Sequence, residues 1–297
     1  MRPSSSPSRR AEKTSAERGP RVPGDEAADA GVFDRPPAHL ARRIDLLWSA
    51  SGDGAPGGPR GATTLHDFFP DAGVHLVFRR SPEGCRAVLL GPATERATIE
   101  RATGAEYLGI RFLAGQAPRL ADVRSSDLTD GLVEVTRLGG VPVEEVADRL
   151  SALPDVGSRR RALAELAGGQ DRSLVEDVHC RRGALLLEAR RGQLRVDQLA
   201  AELGLHARTL ERRFRDQLGM TPKRLIRLVR LRHVLGALRS GAFGTLAELA
   251  LACGYADQPH LIRDFKALTA RLPRDEDACR SRLLARAETR VIHRHHS

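Results

Sequence analysis

Cysteine is sparse in this chain: four in 297 residues, at Cys85, Cys180, Cys253 and Cys279. No C-x-x-C occurs and the spacings are irregular, which argues against both a zinc site and a disulfide scaffold. Reduced thiols of a cytoplasmic protein are the expectation. Nor does any apolar run approach the roughly 20 residues a membrane span needs, and the N-terminus lacks the apolar stretch of a secretory signal. No membrane association is expected. Lysine is nearly missing too, since only Lys13, Lys223 and Lys266 stand among 48 basic residues. The N-terminal half shows no glycine-rich phosphate loop, no metal-spaced His/Cys set and no nucleophile motif. Neither a cofactor, a metal nor a catalytic residue is therefore expected.

What the chain has in quantity is arginine, within a formal net charge of +10. A basic surplus favours a polyanionic partner, and the planar guanidinium fork suits phosphates and guanine edges. Arginine richness also follows from a GC-rich genome, so composition alone leaves nucleic-acid binding open.

The decisive feature is a pattern that occurs twice, about fifty residues apart. The first copy reads LAAELGLHARTLERRFRDQLGMTP, from Leu199 to Pro222; the second reads LALACGYADQPHLIRDFKALTARLP, from Leu249 to Pro273. Gly204 matches Gly254, Phe214 matches Phe265 and Pro222 matches Pro273. Each copy is a short apolar helix, a glycine turn and a second helix rich in polar groups. That is the layout of a helix-turn-helix, whose second helix enters the DNA major groove.

In the first unit, Leu199, Ala200 and Leu203 predict a buried stripe, with Asp197 near the helix N-cap. Leu210, Phe214 and Leu218 face inward, leaving Arg208, Glu211, Arg212 and Arg215 outward. Gly219 ends that helix, and Thr221-Pro222 begins a long one reaching about Arg239, expected as a rigid rod with Leu225, Leu228 or Val229, Leu235 and Leu238 on one side. In the second unit Leu246, Leu249, Ala250 and Cys253 point inward, Asp257 is the N-cap, and Leu261, Phe265 and Leu268 fill the core. Gln258, His260, Ile262, Arg263 and Lys266 are left for DNA or solvent. A solvated face or a phosphate contact is the plain alternative for each outward residue.

The remainder divides by texture. Residues 1–36 are rich in Ser, Pro, Arg, Glu and Ala and predict a disordered basic tail. Residues 37–140 carry short alternating segments broken by Gly and Pro, which predict a β-rich domain built as a small antiparallel sandwich or barrel. Val74, Leu76 and Phe78 share one face of a strand, as do Leu108, Ile110 and Phe112; an initial helix over Leu40–Trp48 is expected to pack on them. His75 and Arg111 are polar groups in apolar strands, read as pocket-lining or, by alternation, solvent-facing. Residues 141–193 turn helical, with Val143, Val146, Ala147 and Leu150 on one stripe. This helical linker region offers either dimer contacts or a spacer with a core face. Residues 194–280 hold the two units, and residues 281–297 form a basic tail with His293, His295 and His296. The fold class expected is α+β: a β-rich N-terminal sensor-like domain, a helical linker and an all-α C-terminal domain with two helix-turn-helix units.

The repeated unit resembles the AraC/XylS family of bacterial transcription regulators. The likeness covers roughly Leu194 to Arg280, through L-A-x-x-L-G-L, R-x-F-R-x-x-L-G-M-T-P, R-L-x-R-L-R and G-Y-A-D-Q-x-H-L-x-R-x-F-K. It implies a bihelical domain that binds double-stranded DNA and recruits or obstructs RNA polymerase, behind a sensing or dimerising N-terminal domain. That domain would offer a place for a small-molecule effector and for homodimer contacts. By position, the family's DNA-facing sites fall on Arg208, Glu211 and Arg212, and on Gln258, Pro259, His260, Ile262 and Arg263. Ala270 departs from the pattern by standing where a glycine usually ends the helix, and RLPRDEDACR is a loose closing segment. The N-terminal part is similar to a β-rich domain of one group of these regulators through P-D-A-G-V-H-L-V-F and Y-L-G-I-R-F. A DNA-binding module fused to an enzyme, such as a DNA-repair methyltransferase, is the alternative; a non-specific architectural binder is a third reading.

Overall fold

The computed structural model describes residues 32–51, 63–121, 123–138, 140–169, 173–241 and 243–275. The tail residues 1–31 and 276–297, with Cys279 and the three terminal histidines, lie outside the described residues.

Among the described residues, ten strands and eight α-helices follow the expected order, β then α. The strands are β1 (Val32–Asp34), β2 (Ile44–Ser51), β3 (Thr63–Phe68), β4 (Val74–Ser81), β5 (Gly84–Leu90), β6 (Ala97–Ala102), β7 (Glu106–Phe112), β8 (Leu132–Val135), β9 (Arg137–Leu138) and β10 (Val141–Pro142). Six pair antiparallel in the order β1-β2-β7-β4-β5-β8, while β3 pairs with β6 and β9 with β10. Instead of closing into a barrel, the large sheet keeps two edges, and helices cover one face. On that face Val74, Leu76, Phe78, Leu108, Ile110 and Phe112 join one core, as their alternation predicts. Against them pack α1 (Val143–Ser151), through Val143, Val146 and Leu150, and α2 (Val156–Gly168), through Leu163, Ala164 and Ala167. The opposite face carries a smaller cluster around Trp48, Val77, Val88 and Tyr107.

Two expectations fail at the start of this domain. Val32–Asp34, expected within a disordered tail, is an edge strand paired to Leu47–Ser49. Leu40–Trp48, expected as a helix, is a 3-10 turn at Ala38–Leu40 followed by β2, which pairs with β7 from Ile44↔Phe112 to Ser51↔Glu106. The cause is a register shift between Ile44 and Leu46. An extra residue at a β-bulge breaks the period of two, so the buried Leu40, Ile44, Leu47 and Trp48 fall at spacings that imitate a helical stripe.

The helical region after the sheet is shared between two cores. Leu174 still belongs to the sheet-side core, whereas Val175 and α3 (Val178–Ala189) belong to the next. Cys180, Ala184 and Leu187 of α3 pack with the remaining helices: α4 (Val196–Glu202), α5 (Ala207–Leu218), α6 (Pro222–Ser240), α7 (Leu246–Ala252) and α8 (Gln258–Thr269). The expected run from Leu174 to Ala189 begins later, at Val178, because Asp177 caps it by accepting from the His179 and Cys180 amides. Gly183 inside α3 has a packing reason. A β-carbon there would stand 2.9 Å from Phe214 Cζ and 3.1 Å from Leu203 Cδ1, so its absence lets α5 seat closely on α3. Phe69, Ala72 and Ala114 of the β domain enter this same core, so the two halves share apolar contacts.

Candidate nucleic-acid interface

Each helix-turn-helix is built by local chemistry that the sequence announces. In the first unit, α4 ends at a turn where Gly204 has φ +66°, a conformation that residues with a β-carbon resist. Its N-cap is Arg195, and Asp197 lies near it in the first turn, as expected; the Gln198 side chain accepts from the Arg195 amide, and Asp197 pairs with the Arg195 side chain. Helix α5 buries Leu210, Phe214 and Leu218, and stops at Gly219 in the left-handed region. Thr221 caps α6 by accepting from the Arg224 amide, with Pro222 in the first turn.

The second unit uses stronger caps. Thr245 and Glu248 form a reciprocal capping box on α7, and Asp257 accepts from the His260 amide to start α8, with Pro259 in the first turn. Leu261, Phe265 and Leu268 are buried as expected. Ala270 ends α8 at φ +59°, adopting the left-handed conformation where a glycine was anticipated. The substitution keeps the geometry and adds strain.

The arginines sort into two populations. Arg208, Arg212 and Arg215 on α5 are exposed, as are Arg263 and Lys266 on α8. Among the described residues no ion pair engages Arg208, Arg212 or Arg263. Glu211, half-exposed, lies 3.4 Å from Arg215 one turn later, an intrahelical pair. Gln258, His260 and Ile262 are half-buried and Pro259 is exposed. His260 is held edge-on to Tyr255 at 5.2 Å, and Ile262 packs partly against the core. Thus each expected residue lies on one of the two second helices, and Arg208, Arg212, Pro259 and Arg263 are the most accessible.

The other arginines build the scaffold. Arg213 of α5 donates to Asp177 (2.9 Å) and meets His179 Nδ1 (3.0 Å), fastening the helix to the start of α3. Arg227 of α6 donates to Asp264 of α8 at 2.6 Å, and the Tyr255 hydroxyl donates to the same carboxylate. Arg230 donates to the Gly192 carbonyl and stands over the Tyr255 ring. Sequence reading missed the scaffold roles of Arg213 and Asp264, whose partners lie 36 and 37 residues away in the chain and leave no local signal.

Helix α6 differs from expectation as well. Leu225, Leu228, Val229, Leu235 and Leu238 are buried, but so are Ile226, Leu231 and Val234. Apolar burial thus extends beyond one stripe, so α6 is an embedded strut more than a rod with one apolar side, while Lys223, Gly236 and Ser240 stay exposed. Its 19 residues span about 28 Å at 1.5 Å per residue.

His75 and Arg111, read as pocket-lining or solvent-facing, do not face solvent. Both are buried in an ion network with Asp71: Arg111 donates Nε to Asp71 Oδ2 at 2.5 Å, and His75 Nε2 lies 2.7 Å from the same oxygen. Burial alone would raise the Asp71 carboxyl, but Arg111 and His75 outweigh it and hold it well below the usual range.

Residues 199–276 match the Helix-turn-helix domain family, and residues 34–134 match a Domain of unknown function (DUF6597). The HTH-type transcriptional activator RhaS of Klebsiella pneumoniae (strain 342) is 30% identical over 117 residues. That alignment covers 39% of this chain and 40% of RhaS, so the chain matches less than half the length of its curated relative. The C-terminal segment is an AraC/XylS-type DNA-binding domain.

Solved structures similar to the chain include an AraC-type transcriptional regulator from Chromobacterium violaceum. It is 29% identical with a TM-score of 0.31, over 33% of this chain and 88% of that one. ToxT from Vibrio cholerae is 9% identical with a TM-score of 0.45, over 86% of this chain and 98% of that one. Within the AraC/XylS-type domain, α5 and α8 occupy the second-helix position of their units, which is where base-reading side chains sit in this motif.

Proposed function

We propose that this protein is a sequence-specific transcription regulator that reads two successive major-groove segments with α5 and α8. The observation that carries the reading is the sorting of arginines. Arg213, Arg227 and Arg232 are engaged in scaffold ion pairs and Arg230 bonds a backbone carbonyl, whereas Arg208, Arg212 and Arg263 stand exposed on the two second helices. A strut of about 28 Å is comparable with the 34 Å of one DNA turn, which suits two helices entering adjacent turns on one side of a duplex.

In this reading Arg208, Arg212 and Arg263 contact guanine edges or phosphates, Gln258 and His260 offer hydrogen bonds to bases, and Ile262 meets a thymine methyl. Pro259 sets the first turn of α8, and Glu211 orients Arg215 or accepts from a cytosine amino group. Two unlike helices imply an asymmetric site per monomer, with direct repeats where the protein acts as a homodimer. The output is recruitment or obstruction of RNA polymerase, under a small-molecule effector or another signal received by the β-rich half.

The enzymatic alternative draws no support from the described thiols. Burial pushes the Cys180 thiol up to about 12 and raises Cys85 and Cys253, so none is a ready nucleophile. Genome-wide mapping of occupied sites supplies the DNA for the test. Arg212→Ala and Arg263→Ala should each weaken binding to those sites by about 1–3 kcal/mol and relax preference at different positions. Unchanged affinity and preference in both variants would refute the assigned roles.

A further inference from the structure

We infer that Asp45 and Arg232 form a latch between the β-rich half and the strut helix α6, making Arg232 a positioning residue for both recognition helices. The inference rests on the regulator reading above only where DNA binding is its readout.

The contacts form one continuous chain from the sheet to the strut. Arg232 of α6 donates to Asp45 Oδ1 on β2 at 2.9 Å and, with its other terminal nitrogen, to the Glu188 carboxylate of α3. Asp45 Oδ2 accepts from Arg111 of β7 at 2.6 Å. Arg111 in turn forks onto Asp71, which also meets His75 of β4. The side chains of Arg111, Asp71, His75 and Glu188 are each less than a tenth exposed. Asp45 and Arg232, at 29% and 21%, sit where the two halves meet.

Removing one partner of a buried pair leaves the other charge uncompensated, which is far more disruptive than losing a surface pair. α6 therefore cannot shift against β2 without breaking the Asp45–Arg232 bond, which joins the Arg111–Asp45 pair of the sheet to the Arg232–Glu188 pair of the helices. Two further contacts place the β-rich half against the ends of both recognition helices. The Thr129 hydroxyl donates to the Leu218 carbonyl, in the last turn of α5. The guanidinium of Arg271, just past α8, lies 5.4 Å over the Phe69 ring. The β-rich half thus touches α5 at its end, α6 at Arg232 and the chain just past α8, and the latch is the charged contact among the three. A change in the strand layer has a direct mechanical route to the spacing of the recognition helices.

The test uses the full chain and two readouts, amide hydrogen exchange and mobility shift on an occupied site. Asp45→Asn should raise exchange across α6 by about tenfold or more and change DNA affinity by about fivefold or more. Asp45→Glu, which keeps the charge, should restore both towards the parent values. The double variant Asp45→Asn/Arg232→Gln should be no worse than the more affected single variant, because the two residues act as one unit. Arg232→Lys, which keeps charge but loses the fork, should fall between and serves if the neutral variants unfold. Faster exchange confined to β2 with α6 unchanged, or additive single effects, would overturn the latch. Should the parent protein bind no DNA, the regulator reading fails while the exchange data still decide on the latch.

Discussion

Arg212 and Arg213 are neighbours in sequence with opposite roles: one is exposed without an ion pair, the other fastens α5 to Asp177. Helical periodicity separates them, since a step of about 100° per residue moves a side chain from the open face to the packed one. Ala270 supports a stability prediction at the same scale. Its φ of +59° costs roughly 1 kcal/mol that glycine does not pay, so Ala270→Gly should raise the melting temperature measurably; an unchanged or lower value would contradict that strain. A second case is His233 of α6, where burial and the nearby Arg232 and Arg191 push the imidazole down from 6.5 to about 4. The folded protein holds it neutral while the unfolded chain takes up a proton below about 6.5, so the unfolded state binds more protons between these values. Its contribution to stability is present above pH 6.5 and is lost as pH falls towards 4. Thermal melts at pH 7 and pH 5 should show a smaller drop for His233→Gln than for the parent, and an equal drop would contradict the assignment. His75 and Arg111 show where residue-level reading stops. Alternation along a strand assigns a face but does not say what covers it, and the cover here comes from Asp71 and from α3 and α6.

Elements were legible where a cap, a glycine turn and a stripe agree. The helices α4 to α8 follow from Gly204, Gly219, Thr221, Gly254 and Asp257, each in the conformation or capping role its residue type suits, while the Thr245 cap of α7 emerged only from the structure. The failure at β2 arose because a bulge imitates helical spacing, and pairing with β7 is a long-range fact absent from a local window. The wide burial of α6 was likewise hidden, since partners such as Asp45, Glu188 and Asp264 lie far from it in sequence. Gly183 turns this into an element-scale prediction. Gly183→Ala should destabilise by about 1–3 kcal/mol through overlap with Phe214, partly offset by roughly 1 kcal/mol of helix propensity. DNA affinity should fall with it, because α5 would be lifted from α3. Gains in both stability and affinity would contradict the packing account.

For the molecule as a whole, texture along the sequence placed the β-rich and DNA-binding halves correctly in order, but not the seam between them. The apolar cores divide at Leu174 and Val175, within what reads as one helical linker. Periodicity reveals that a helix has an inner face but not which layer that face meets, so α1 and α2 could not be told from α3. In the proposed function, two recognition helices joined by one embedded strut read adjacent turns of a duplex. Hydroxyl-radical footprinting of the full chain on a mapped site tests it most directly. The account predicts two protected windows about one helical turn, or 34 Å, apart on the same side of the DNA, with Arg212→Ala weakening one window and Arg263→Ala the other. A single window, or two that respond identically to both substitutions, would contradict it.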